Sequence, residues 1–194
     1  IIAPDTFRVS FGTNVSLFRS SVNNRTQEYF NPVILEVRRE WAPLGVDRFY
    51  SLIQDNFYDN AGFFRVVPEL EVQFGIASTP AETSKWDTPI PDDPVILSNL
   101  PWTVSFATGG PNTRTTQVFI NYINNSRLDS LGFSPFAKVI SGQNTLLAIR
   151  SPTNNYNDGL NQTDYTLGGN VWLEKFFPNT SIITCSTIIS TSPT

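Results

Sequence analysis

No apolar run in this chain is longer than a β-strand needs, and eight such runs are spread from one end to the other. Thr6–Thr13 and Val33–Trp41 alternate polar with apolar residues, the period of half-buried strands. Phe63–Pro68 and Val72–Ala77 form a strand pair broken at Pro68-Glu69. Trp102–Ala107 and Gln117–Tyr122 are joined by a strong turn signal, Thr108-Gly109-Gly110-Pro111-Asn112-Thr113. Phe136–Ile140 and Ile182–Ser190 complete the set. The 15 Phe, 6 Tyr and 4 Trp suit pleated sheet better than helix.

Two helices are expected. Ala42–Asn56 has Pro43 in its first turn, where a missing N–H costs nothing, and an apolar stripe of Val46, Phe49, Tyr50 and Ile53. Gly142–Arg150 is closed by Pro152. Ser78–Asn99, with Pro80, Pro89, Pro91 and Pro94, and the polar Asn154–Gly169 read as loops; Asn14–Asn31 reads as a surface insertion. The expectation is a mainly β chain, one domain over residues 1–194, folded as a closed eight-stranded antiparallel barrel capped by two α-helices. Periodicity alone leaves barrel and sandwich both open.

The chain contains no His, which removes histidine acid–base chemistry, Ser-His-Asp triads and most zinc sites. No feature points to a metal or an organic cofactor. The net charge of −4 without a basic run gives no nucleic-acid footprint, and no stretch is long enough to span a bilayer as a helix. Cys185 is the single cysteine, so no internal disulfide forms, and a buried, inert thiol is expected. The chain starts at Ile1 without any Met, and Asn-X-Ser/Thr sequons stand at Asn14, Asn24, Asn124, Asn161 and Asn179. A removed signal peptide or a trimmed chain would each leave such a start, and the sequons are suggestive of glycosylation; export to the secretory pathway or periplasm is the expectation, with a monomer as the default.

Two segments are more specific. Phe63-Phe64-Arg65-Val66-Val67-Pro68-Glu69-Leu70-Glu71-Val72-Gln73-Phe74-Gly75 resembles the cyclophilin strand motif F-H-R-[IV]-[IV]-P-G-F-x-x-Q-x-G. Ser105-Phe106-Ala107-Thr108-Gly109-Gly110-Pro111-Asn112-Thr113-Arg114-Thr115-Thr116-Gln117-Val118-Phe119-Ile120 is similar to the family's S-M-A-N-x-G-P-N-T-x-x-S-Q-F-F-I. Their order and spacing agree with the family, and weaker likeness runs from about residue 33 to the end. Leu128-Asp129 leading into Phe136–Ile140 belongs to it, as does Gly169-Asn170-Val171-Trp172-Leu173 with Phe177-Pro178, similar to a divergent bacterial branch.

The resemblance implies peptidyl-prolyl cis/trans isomerisation of X-Pro peptides and proteins, and a role in protein folding. It implies that Arg65 addresses the twisted amide, with Gln73 holding Arg65 or a substrate carbonyl. Gln117 would bind substrate backbone, and Phe119, Leu70 and Leu128 would enclose the proline ring. Ala107 and Thr108 would offer backbone groups, and Phe64 and Phe133 would border the substrate. Gln73 lies eight residues after Arg65, an even spacing that aims both side chains alike in an extended chain. Phe119 shares a strand face with Gln117.

The chain departs from the family at several of these positions. Phe64 and Phe133 stand where most relatives carry His, Leu70 replaces Phe, Glu69 replaces Gly and Thr108 replaces Asn. Glu71 occupies a position often filled by an apolar pocket residue. Arg127 falls where many relatives have the Trp that contacts cyclosporin, so weak inhibition by that drug is expected. The departures favour reduced activity, or a proline-peptide binding module or chaperone with negligible turnover. An adhesive or carbohydrate-binding β-protein is the remaining alternative.

Overall fold

The computed structural model describes residues 1–15, 18–22, 25–29, 31–153 and 159–191. Residues 154–158 of one expected loop, and the sequon at Asn24, lie outside the described residues. In chain order the elements are β1 (Thr6–Thr13), β2 (Phe18–Val22), β3 (Arg25–Tyr29), β4 (Val33–Arg38), α1 (Pro43–Gln54), β5 (Arg65–Val67), β6 (Glu71–Phe74) and α2 (Pro80–Lys85). They continue as β7 (Thr103–Phe106), β8 (Val118–Asn121), β9 (Pro135–Ser141), α3 (Gln143–Ala148), α4 (Gln162–Phe176) and β10 (Ile183–Thr191). Short 3-10 turns occupy Arg39–Trp41 and Ser126–Leu131.

Eight strands form one antiparallel sheet in the order β10-β1-β4-β9-β7-β8-β6-β5. β2 and β3 pair with each other, so the expected insertion holds its own two-stranded ribbon. Burial alternates along β1 and β4, placing Phe7, Val9, Phe11, Val33, Leu35 and Val37 inside. The stripe of α1 buries Val46, Phe49 and Ile53 against them. Edge-on aromatic contacts tie Phe11 to Tyr58 and to Phe74 at centroid distances of 6.0 and 5.6 Å.

The expected closed barrel is not formed: the sheet is a curled half-barrel with β10 and β5 as its edges. β5 is three residues long, too short to carry a closing ladder, so contact passes to the segment before it. There a Gly62–Ile182 bridge, Phe63 N to Ser181 O (2.9 Å) and Asn60 N to Ile183 O (2.7 Å) join the two edges.

Four α-helices, not two, appear among the described residues. α2 interrupts the expected 78–99 loop: Thr79 accepts from Glu82 N, and Pro80 occupies the first turn. α4 begins inside the expected Asn154–Gly169 loop, capped by Asn161, which accepts from Thr163 N and Asp164 N. It kinks at Gly169, where φ is +56° and a side chain would sit 2.6 Å from Ser78 O. Cys185 is exposed rather than buried. The register of β10 against β1 slips between Gly12 and Thr13, which breaks the strand's alternation at this edge.

Candidate active site

Arg65 opposes Gln73 across the β5–β6 ladder, Gln73 opposes Phe119 across β6–β8, and Phe119 opposes Ser105 across β7–β8. Directly paired residues of an antiparallel sheet point the same way. This row therefore lies on the face opposite Val66, Val72, Ile120 and Val104, which fill the core. Pro68-Glu69-Leu70 is the hairpin turn between β5 and β6. Arg65 and Gln73 are thus partners across a hairpin, not neighbours along one strand.

The row carries a continuous polar chain. Arg65 Nη1 donates to Gln73 Oε1 at 3.4 Å, Gln73 Nε2 to Gln117 Oε1 at 2.8 Å, and Gln117 Nε2 to Gln162 Oε1 at 3.0 Å. Gln117 lies close to Gly75, whose φ is +114° and where a Cβ would sit only 2.7 Å from the Gln117 Cα. A depression of about 330 Å³ beside this chain is lined by Gln73, Ala107, Thr108, Thr115, Gln117 and Gln162, among others. A larger cavity, about 540 Å³, runs along α1 past Arg48 and Trp86 and shares no residue with the site.

Phe119 meets Phe133 edge-on, with centroids 5.7 Å apart and rings at 75°. A buried amide network fixes Phe133 and the turn that bears Leu128. Asn99 Nδ2 donates to Phe133 O (2.9 Å) and Asp129 Oδ1 (2.8 Å), Ser105 Oγ to Asn99 Oδ1 (2.8 Å), and Asn125 Nδ2 to Asn121 Oδ1 (2.8 Å). Burial raises the Asp129 carboxyl, but hydrogen bonds from Ser98 and from the side chain and backbone of Asn99 outweigh it and hold the group below its ordinary range. Leu70 sits in the hairpin turn, its carbonyl held by Tyr122 N at 2.9 Å and Asn125 Nδ2 at 3.3 Å.

Phe64 differs from expectation in place and the Ala107 N–H in availability, while the Thr108 hydroxyl is engaged within its own loop. Phe64 is fully buried and packs with Ile76, Leu160, Tyr165 and Leu173 in a second apolar cluster under α4. Phe63 and Val66 both enter the main core three residues apart, so alternation fails between them and Phe64 turns aside. The Ala107 N–H already donates to Gln117 O at 2.9 Å, so it is not available to a peptide. Thr108 folds its hydroxyl into the loop, accepting from Gly110 N (3.1 Å) and bonding the Thr113 hydroxyl (2.9 Å).

Two further residues, Glu71 and Gln162, belong to the site. Glu71 forms an ion pair with Arg65 Nη1, the two side chains being 12% and 21% exposed. The acid was visible as a departure from the family, and its even spacing from Gln73 is the signal that would have placed it beside Arg65. Gln162 comes from α4, whose first half has the polar composition of a loop. The helix is anchored through Tyr165, which meets Phe64 at 6.5 Å and accepts from Gly62 N at 2.9 Å. Burial pushes the Tyr165 phenol up to about 12, against a smaller opposing effect of the Gly62 hydrogen bond. Among the described residues, no group of three or more Cys, Asp or Glu side chains converges as metal ligands.

The fold and this row together define a proline isomerase of the cyclophilin type. The family profile described as "Cyclophilin type peptidyl-prolyl cis-trans isomerase/CLD" matches residues 22–167, and the chain belongs to that family. It is 32% identical over 130 residues to a peptidyl-prolyl cis-trans isomerase of Acinetobacter baylyi, covering 63% of this chain and 69% of that protein. It is also 32% identical over 127 residues to the Schizosaccharomyces pombe peptidyl-prolyl cis-trans isomerase ppi1, covering 62% and 79%. A crystal structure of a Cryptosporidium parvum cyclophilin type peptidyl-prolyl cis-trans isomerase shares the fold, with TM-score 0.65 and 20% identity over 96% of this chain and 99% of that one. A second structure of that protein, in the presence of the dipeptide Ala-Pro, has TM-score 0.64, with 94% of this chain and 99% of that one covered.

Proposed function

We propose that this cyclophilin isomerises X-Pro bonds by holding the half-rotated amide between Arg65 and the Phe119–Phe133 ring pair. The row Arg65–Gln73–Phe119 is the observation that carries this reading. Amide resonance sets a rotation barrier of about 18–20 kcal/mol. Rotation removes that resonance, and the nitrogen becomes pyramidal and able to accept a hydrogen bond. Arg65 supplies the donor, from a rigid and permanently charged fork. No bond is made or broken, so the lack of histidine costs the reaction nothing. Catalysis consists of binding the twisted amide more tightly than either planar form.

The apolar pair takes the proline ring, with Leu128 and Leu70 at its margin. Gln73 orients Arg65 by accepting from it, and Gln117 binds substrate backbone. Glu71 opposes this arrangement by drawing the guanidinium toward itself. The binding-module alternative rested partly on Phe64 as an altered pocket residue; Phe64 lies beneath α4, outside the pocket. Exchange spectroscopy on a short X-Pro peptide with catalytic amounts of protein tests the reading: cis and trans signals broaden and exchange if it holds, and stay sharp if the chain only binds.

Arg127, exposed and hydrogen-bonded to Asn125 Oδ1 at 2.9 Å, supports the proposal that cyclosporin binds weakly. The exposure of Asn14, Asn124, Asn161 and Asn179 supports a glycosylated, exported protein. A mobility shift on glycosidase treatment of the native protein tests that.

A further inference from the structure

An arginine side chain can only donate hydrogen bonds, and this sets the polarity of the amide chain that starts at Arg65. Gln73 must turn its oxygen to Arg65 and its NH2 to Gln117, and Gln117 in turn gives its NH2 to the oxygen of Gln162. The chain therefore ends in a donor, the Nε2 of Gln162, which has no hydrogen-bond partner among the described residues, and Gln162 lines the 330 Å³ depression. The other side chains named in that depression are amides, threonine hydroxyls and a methyl group, with no charge among them.

Gln162 is held firmly in this position. It is the first residue of α4, directly after the Asn161 cap, and Tyr165 one turn later is locked by Gly62 and Phe64. Phe64 thereby has a role that its burial alone does not reveal: it seats the helix that forms this wall of the groove.

We propose that Gln162 is a substrate-binding residue that selects a hydrogen-bond-accepting side chain, such as Asn or Asp, in a residue flanking the X-Pro pair. The inference rests on the isomerase reading above and adds a specificity determinant to it. Losing one donor of this kind weakens binding about fivefold to tenfold. The test compares wild type, Gln162→Ala and Gln162→Glu on peptides that carry Asn, Asp, Ala or Leu beside the X-Pro pair. Gln162→Ala also frees Gln117, so any effect shared by all peptides is read on the Ala and Leu peptides, and KM is expected to rise a further fivefold to tenfold, about, on the Asn and Asp peptides. Gln162→Glu keeps the acceptor for Gln117 but replaces the donor with a charge, so it discriminates most strongly against Asp. A thermal midpoint matching wild type checks folding of each variant. Equal responses on all four peptides, or none, overturn the inference while leaving the isomerase intact. Absence of turnover by wild type overturns both.

Discussion

Arg65 and Glu71 form an ion pair across the β5–β6 hairpin, so the proposed catalytic cation is already shared with a carboxylate that belongs to its own site. The same guanidinium reaches Gln73 only at 3.4 Å. A bound amide must compete with Glu71 for Arg65, and the competition is not screened away because both side chains are largely covered.

Replacing Glu71 by Gln is therefore expected to raise kcat/KM by about threefold to tenfold, since hydrogen bonds to charged partners are roughly twice as strong as neutral ones. Peptide isomerisation rates measured side by side check this; a fall in activity would make Glu71 an aid to Arg65 instead of a competitor.

Glu69 occupies the hairpin turn with φ at +61°, where cyclophilins usually carry Gly. A side chain in this left-handed region costs about 1 kcal/mol, so Glu69→Gly is expected to stabilise the protein by about 0.5–1 kcal/mol. A higher urea midpoint with an unchanged slope is the expected result.

Phe64→Ala removes a fully buried ring from the small cluster beneath α4 and is expected to cost about 3–5 kcal/mol. Amide hydrogen exchange should show the loss first in α4, since Tyr165 and Leu173 rest on the same cluster. Uniform acceleration across the whole sheet would mean that the two clusters form one cooperative core.

Asp129 has its carboxyl lowered in the folded protein, so the unfolded chain binds its proton first as pH falls. Its contribution is complete above the ordinary carboxylate range near pH 4 and is lost as pH falls through the lowered native value. Urea midpoints of wild type should drop more steeply between pH 5 and pH 3 than those of Asp129→Asn, which has no such proton to gain.

The strands were readable because each alternates or clusters apolar residues over its own length; β1 spans Thr6–Thr13 in both readings. α4 was not. Gln162, Thr163, Asp164, Thr166 and Asn170 are turn-like in composition, and Gly168-Gly169 breaks the period, yet Tyr165, Gly169 and Leu173 are buried at helical spacing. The Asn161 cap is a local start signal, but it is the docking of the buried face on Gly62 and Phe64, a tertiary effect, that outweighs the turn-like composition. Phe64 was misplaced for a related reason, because one slip of alternation after Phe63 sends it sideways. The Arg65–Gln73 pairing was visible as an even spacing, and the hairpin between them keeps both on one face. Barrel closure depends on the reach of a three-residue edge strand, which composition does not report.

The most direct test is the isomerisation rate of one X-Pro peptide with wild type, Arg65→Lys and Arg65→Ala. Loss of a donor aimed at the transition state costs about 100-fold or more, so Arg65→Ala should fall by that factor in kcat/KM. Arg65→Lys, which keeps the charge but not the planar fork, should lie between the two. An Arg65→Ala rate within twofold of wild type would contradict the mechanism.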